Sequence, residues 1–145
     1  DGIGLRAFPK SSGSKGIQVY VPLNRPDVTF DDTKAFAKTV AEVLAEGRPE
    51  LVVARQAKDL RKGRVLVDWY QNDRAKTTVG VYSLRARDRP TVSAPLAWEE
   101  VEQAAATRDG APLMPVARDL PARIEAVGDL FAELLSTTQR LPAPG

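Results

Sequence analysis

Neither histidine nor cysteine occurs anywhere in the 145 residues. Without thiols there can be no disulfide and no thiolate metal site, so a packed core has to hold the fold. Without imidazole there is no histidine general acid or base. Any catalytic metal must then rest on carboxylates, which suits Mg²⁺ or Mn²⁺ better than Zn²⁺. A chain of this length buries roughly two-thirds of its unfolded surface, enough for a core. Hydrophobic residues at 43% and charged residues at 28% fit a globular domain rather than a disordered one. No apolar run approaches the ~20 residues that cross a bilayer, and no signal-peptide pattern is present. The expectation is a soluble, cytoplasmic, nucleoid-associated protein with no membrane partner.

Charge is spread unevenly. Residues 1–98 carry 17 Lys/Arg and 11 Asp/Glu, a net of +6, while residues 99–145 carry 4 and 8, a net of −4. A basic front half suits a nucleotide or nucleic acid, and it equally suits a solvated surface. The opening Asp1-Gly2-Ile3-Gly4-Leu5 has no Met and reads as a cut inside a longer protein. Leu141-Pro-Ala-Pro-Gly145 reads as the start of a linker, which leaves a domain over 1–140 and a tail over 141–145.

Residues 1–15 are Gly- and Ser-rich and read as loop. Ile17, Val19 and Val21 alternate with Gln18 and Tyr20, predicting a strand with one apolar face. Thr29 as N-cap with Asp32 three residues on predicts a helix carrying Phe36, Val40, Val43 and Leu44 on its buried stripe and stopping at Gly47 before Pro49. Val65–Tyr70 reads as a short β-rich run, and Thr77–Tyr82 as another strand. A basic segment from Ser83 to Arg89 follows, then a helix over Leu96–Ala105. A last helix starts near Asp119-Leu120-Pro121, with Ile124, Val127, Phe131 and Leu134/Leu135 as its stripe. The class is α+β (α/β), a small mixed or antiparallel sheet with helices packed on one face. If strand parity holds, the other face carries Gln18, Tyr20 and Asp68.

Three features could carry chemistry. In Ser11-Ser12-Gly13-Ser14-Lys15-Gly16, two glycines allow a tight turn whose backbone N–H groups can nest an anion, with Ser12, Ser14 and Lys15 adding donors. An ordinary hairpin turn explains the same residues, and this is no Walker A loop. Asp68 ends the Val65-Leu66-Val67 run. Unpaired and buried it would be costly, so a divalent cation or an arginine would answer it, as would a loop-capping role. Arg61, Lys62 and Arg64 precede it and Arg85, Arg87 and Arg89 follow, and planar guanidinium groups suit phosphate.

The order and wording of these segments are more specific than any one of them. Ser11-Ser-Gly-Ser-Lys-Gly-Ile-Gln-Val-Tyr-Val-Pro-Leu23, Gly63-Arg-Val-Leu-Val-Asp-Trp-Tyr-Gln-Asn72, Val81-Tyr-Ser-Leu-Arg-Ala-Arg87 and Val92-Ser-Ala-Pro-Leu-Ala-Trp-Glu-Glu-Val101 resemble the polymerase domain of bacterial ligase D, within the archaeo-eukaryotic primase superfamily. The resemblance runs from Leu5 to about Leu141. It implies the C-terminal half of a primase-type polymerase fold in a nucleotidyltransferase that extends primers and fills gaps during double-strand-break end joining. It further implies that Ser12 and Lys15 hold the incoming triphosphate, with Ser14 beside them, and that Gln71, Arg85 and Gln18 contact the nucleotide. Asp68 matches the third metal-binding aspartate, and Arg61, with Lys62 and Arg64, an active-site loop. Implied partners are a nucleoside triphosphate, DNA ends with a 5′ phosphate, and a ligase and an end-bridging protein. The implied cofactors are Mn²⁺ or Mg²⁺.

Two departures bear on activity. The family's Asp-x-Asp pair has no counterpart in this sequence, so the chain alone is expected to be inactive. Gln18 stands where the family usually has His, and an amide can donate to a phosphate but carries no charge. A non-catalytic paralogue that binds nucleotides or DNA ends is the alternative. A further alternative is a protein-interaction domain presenting Trp69 and Trp98.

Overall fold

A computed structural model describes residues 3–86 and 88–142 of the chain; Arg87, the first two residues and 143–145, part of the expected tail, lie outside it. The chain divides into two compact units, Asp1–Asn24 with Val79–Gly145, and Arg25–Thr78.

The first unit starts where no strand was expected. Phe8–Ser11 (β1) pairs antiparallel with Ile17–Tyr20 (β2), Phe8 opposite Tyr20 and Ser11 opposite Ile17. All four β1 residues are buried. A strand enclosed on both faces shows no polar–apolar alternation, which is why Phe-Pro-Lys-Ser reads as loop. On its other edge β1 meets the chain at 94–96: Ser11 N donates to Ala94 O at 2.8 Å and Leu96 N to Pro9 O at 2.9 Å. Proline has no N–H to give, so the carbonyl of Pro9 carries that rung.

The face of β2 is the reverse of the expected one. Ile17 and Val19 are 40% and 54% exposed, while Gln18 and Tyr20 are half-buried. The inward side belongs to Tyr20, stacked edge-on against Phe131 at 5.4 Å, and to Gln18, opposite Lys10.

Ser83–Arg85 (β5) and Thr91–Ser93 (β6) form a second antiparallel pair, Leu84 opposite Val92. The strand expected over Thr77–Tyr82 is instead coil and turn, and pairing begins only after Tyr82, whose φ is +61°. Trp98–Thr107 (α2) follows close to its expected place. Its start is capped by Glu100, which accepts from Ala97 N at 2.8 Å and takes both Arg123 guanidinium nitrogens at 2.5 and 2.6 Å. Leu96, Ala104 and Leu113 pack together as a buried cluster, with Val92, Ala94 and Val116 buried elsewhere in the unit. Leu120–Val127 (α3) carries Pro121 in its first turn as expected but ends early. Gly128 adopts φ +72°, a C-terminal stop that glycine makes without strain. The predicted stripe therefore breaks: Ile124 and Val127 are exposed and Leu135 is 83% exposed, while Phe131 and Leu134 are half-buried and Phe131 packs against Phe8 and Tyr20.

The second unit is built on Phe30–Gly47 (α1). Its N-terminus is the expected capping box, Thr29 Oγ1 accepting from Asp32 N and Asp32 Oδ2 from Thr29 N. Ala41 is its buried residue, with Phe36 and Val40 half-buried; Val43 and Leu44, placed on the stripe from their spacing, are exposed. Val52–Val53 (β3) and Val65–Leu66 (β4) run parallel, Val52 beside Val65. The strand at Val65 stops after Leu66, and Trp69–Gln71 is a 3₁₀ turn. Trp69 Nε1 donates to Ala54 O at 3.0 Å, where the chain has left the ladder. The class is α+β as expected, with the sheet divided into three two-stranded pieces.

Candidate functional site

The Ser12–Gly16 turn closes the β1–β2 hairpin through Ser12 N donating to Gly16 O at 2.9 Å. Ser12 Oγ accepts from Ser14 N at 3.2 Å and Gly16 N at 3.1 Å. Two of the amides that a nest would offer an anion thus converge on the serine's own oxygen, leaving the hydroxyl hydrogen to donate outward. Lys15 is exposed beside them.

What the sequence did not reveal is how this turn is seated. Gly13 is buried with φ +65°, and a Cβ there would stand 2.5 Å from Arg85 Cγ and 3.1 Å from Ser93 N. Thr91 Oγ1 donates to Gly13 O at 2.5 Å. Only glycine permits both that φ and that approach. The β5–β6 pair is therefore held against the turn, and Arg85 comes to lie against Gly13, within the Ser12–Lys15 turn, from seventy residues away in sequence.

Beneath the turn lies a residue that sequence reasoning missed. Lys10 is wholly enclosed. Its Nζ donates to Gln18 Oε1 at 2.6 Å, Ser93 Oγ at 2.6 Å and Val79 O at 2.9 Å, and sits 5.6 Å from the Tyr20 ring centroid. All three acceptors are neutral. Burial, and secondarily the Arg85 charge, press its pKa down from 10.5 to about 8. Lysine is almost never fully buried without a partner charge, so nothing in Phe-Pro-Lys-Ser could have signalled it.

In the second unit Asp68 is exposed, not enclosed at a strand end. Its carboxylate accepts from Gln56 Nε2 at 2.6 Å and Gln71 Nε2 at 3.3 Å. Gln71 thus lies against Asp68, and Gln56 is a partner without a sequence signal. Arg61 is half-buried at the end of a 3₁₀ turn, and Lys62 and Arg64 are exposed around Gly63, which has φ +72°. Among the described residues none of these three cations pairs with Asp68. A second unpredicted feature lies nearby: Lys34 and Lys76 approach the Tyr70 ring at 4.6 and 5.5 Å, and Lys38 the Trp69 ring at 5.6 Å.

Among the described residues no three acidic, histidine or cysteine side chains are grouped to hold a metal. Asp68 offers one carboxylate, which does not fit a two-ion centre by itself. The indole N–H groups of Trp69 and Trp98 are both spent internally, on Ala54 O and Ala7 O. An open hollow of about 400 Å³ lined by Arg89, Pro90, Val116, Ala117 and Arg118 includes none of the predicted site residues. No described helix is long and apolar enough to cross a membrane.

A family model described as LigD, primase-polymerase domain, matches residues 1–131. The multifunctional non-homologous end joining protein LigD of Mycolicibacterium smegmatis is 47% identical over 97 residues, 67% of this chain and 13% of that protein. Its counterpart from Pseudomonas aeruginosa is 37% identical over 145 residues, 99% of this chain and 16% of that protein. Among solved structures, the polymerase domain of Mycobacterium tuberculosis ligase D in complex with DNA superposes with a TM-score of 0.83 at 40% identity, covering 95% of this chain and 46% of that one. The chain spans about one-seventh of the length of these curated relatives.

Proposed function

The chain belongs to the LigD primase-polymerase domain family, and from that premise we propose that it is part of a nucleotidyltransferase that extends primers and fills gaps at broken DNA ends during end joining. Lys15 and Arg85 bind the triphosphate of the incoming nucleotide by charge, Arg85 through its two-pronged guanidinium. The Ser12 hydroxyl donates to the same phosphates, with Ser14 beside it, and Gln18 and Gln71 contact the nucleotide. Arg61, Lys62 and Arg64 form a basic loop that meets the phosphate backbone of DNA ends bearing a 5′ phosphate. Asp68 contributes one carboxylate towards a divalent ion, Mn²⁺ or Mg²⁺, which when bound supplies charge neutralisation for in-line phosphoryl transfer. Among the described residues no group of three such ligands forms around it.

One observation carries the reading: Gly13, whose missing side chain lets Arg85 close on the phosphate-type turn. Two parts of the sequence that share no local reason to meet converge on one place suited to a polyphosphate. The test is ATP binding followed by calorimetry at several salt concentrations. The expected outcome is measurable affinity that strengthens as salt falls, and a loss of at least tenfold in Lys15→Ala. An unchanged Kd in that variant would count against the assignment.

A second reading is a module that binds nucleotides or DNA ends without chemistry, favoured by Gln18 and by the single carboxylate. Primer extension with Mn²⁺ separates the two. The 145 residues alone are expected to bind but to extend little. In a longer protein that supplies the remaining carboxylates, Asp68→Ala is expected to abolish extension and leave the fold intact, because the exposed Asp68 takes no part in the core.

A further inference from the structure

The buried ammonium under the turn has a consequence for the chemistry above it. An ammonium group has three donors and no acceptor. Whatever faces Lys10 Nζ must be an oxygen, so the Gln18 amide can lie only one way round, with Oε1 inward at 2.6 Å. The ammonium, which can only donate, removes the usual ambiguity between amide oxygen and nitrogen. Nε2 is then forced to the opposite side. Gln18 is half-buried, no buried side-chain nitrogen or oxygen among the described residues lacks a partner, and Nε2 has no partner among the described residues, so it reaches solvent with both hydrogens unspent.

Lys10 is itself held from three sides. Ser93 Oγ accepts from it while donating to Ser11 O at 2.7 Å, Val79 O accepts from a different stretch of chain, and Tyr20 offers its ring. Among the described residues no carboxylate accepts from the ammonium. An acid at any of these places would satisfy the charge better, and its absence leaves Gln18 Oε1 as one of only three oxygens available.

We propose that Lys10 is a positioning residue that locks Gln18 with its amide nitrogen outward, making Gln18 an obligate hydrogen-bond donor to an acceptor oxygen of the bound nucleotide. This rests on the nucleotide reading above and adds to it the polarity of one contact and the residue that sets it. A freely rotating glutamine would serve as donor or acceptor equally. Locked, it favours a phosphate or sugar oxygen and rejects a donor in that place.

The experiment is a double-mutant cycle on ATP affinity, with thermal melting recorded for every protein. Gln18→Leu is expected to weaken ATP binding about tenfold, the scale of one lost hydrogen bond to a charged oxygen. Lys10→Met is expected to weaken it similarly, and the pair together no more than either alone, because Lys10 acts through Gln18. A Lys10→Met effect that persists in full in the Gln18→Leu background assigns Lys10 a merely structural or electrostatic role and overturns the proposal. So does a Kd within twofold of wild type. If Lys10→Met does not fold, Gln18→Glu replaces it. That variant gives Lys10 an ion pair and should melt no lower than wild type, yet it removes the outward donor and should bind ATP at least tenfold more weakly; equal binding overturns the proposal. Wild-type protein that binds no ATP fails the nucleotide reading itself, whereas wild-type binding indifferent to these substitutions fails this inference alone.

Discussion

Two lysines, one in each unit, show opposite solutions to the same problem. Lys10 is enclosed, surrounded by neutral oxygens, and its pKa falls to about 8. Lys34 is half-exposed, paired with Asp73 at 2.5 Å, set over the Tyr70 ring, and its pKa is raised, first by that hydrogen bond. The first unit has taken on the cost of desolvating a charge, which neutral hydrogen bonds only partly offset. The second pairs its lysine with a carboxylate in a half-buried place that still reaches solvent, where a pair costs less to hold and gives less back. The difference separates a charge that organises an interior from charges that cover a surface.

The comparison can be broken most directly at Lys10. Lys10→Ala orphans Gln18 Oε1, Ser93 Oγ and Val79 O and empties the volume of the stem, and is expected to cost about 3 kcal/mol in urea unfolding. Gly13→Ala should follow, at roughly 1–3 kcal/mol, because the new methyl meets Arg85 Cγ and the backbone at a φ that alanine resists. Replacing Gly13 should also weaken ATP binding by displacing Arg85, which a purely local strain would not do.

A pH series sharpens the contrast further. Between about pH 8 and 10.5 the unfolded chain holds a proton on Lys10 that the folded chain has released. Stability therefore rises with pH across that window, and the cost of burying the charge is felt in full below it. Measured against Lys10→Met from pH 7 to 10, wild type should gain. Arg85 and Tyr20, the charged and titratable groups nearest Lys10, stay in both proteins, so the difference isolates the lysine. Smallest of all should be Lys34→Ala, expected to lower the melting temperature less than Lys10→Ala does, because the half-buried pair it breaks still reaches solvent. A shift as large as that of Lys10→Ala would remove the distinction between the two units.

Some of this was legible beforehand. The capping box at Thr29 and Asp32 is a local device, and α1 begins where it says. Strand β1 was not legible, because enclosure on both faces erases the alternation that marks a strand, and α3 ended early because a single glycine outweighed a continuing stripe. The face of β2 was read backwards for a related reason. Periodicity reports which residues share a side, and says nothing of which side is covered.

The sequence by itself determined the absence of thiol and imidazole chemistry, the family to which the chain belongs, and the identity of the turn, the acid and the arginines, since these reside in residue types and their order. Tertiary structure alone decided that Arg85 meets Gly13, that Lys10 is buried with its pKa lowered, and that Gln18 turns its amide oxygen to that ammonium. Each of those depends on contacts between residues far apart in the chain, and the free energy of a buried charge is set by what encloses it rather than by its neighbours in sequence.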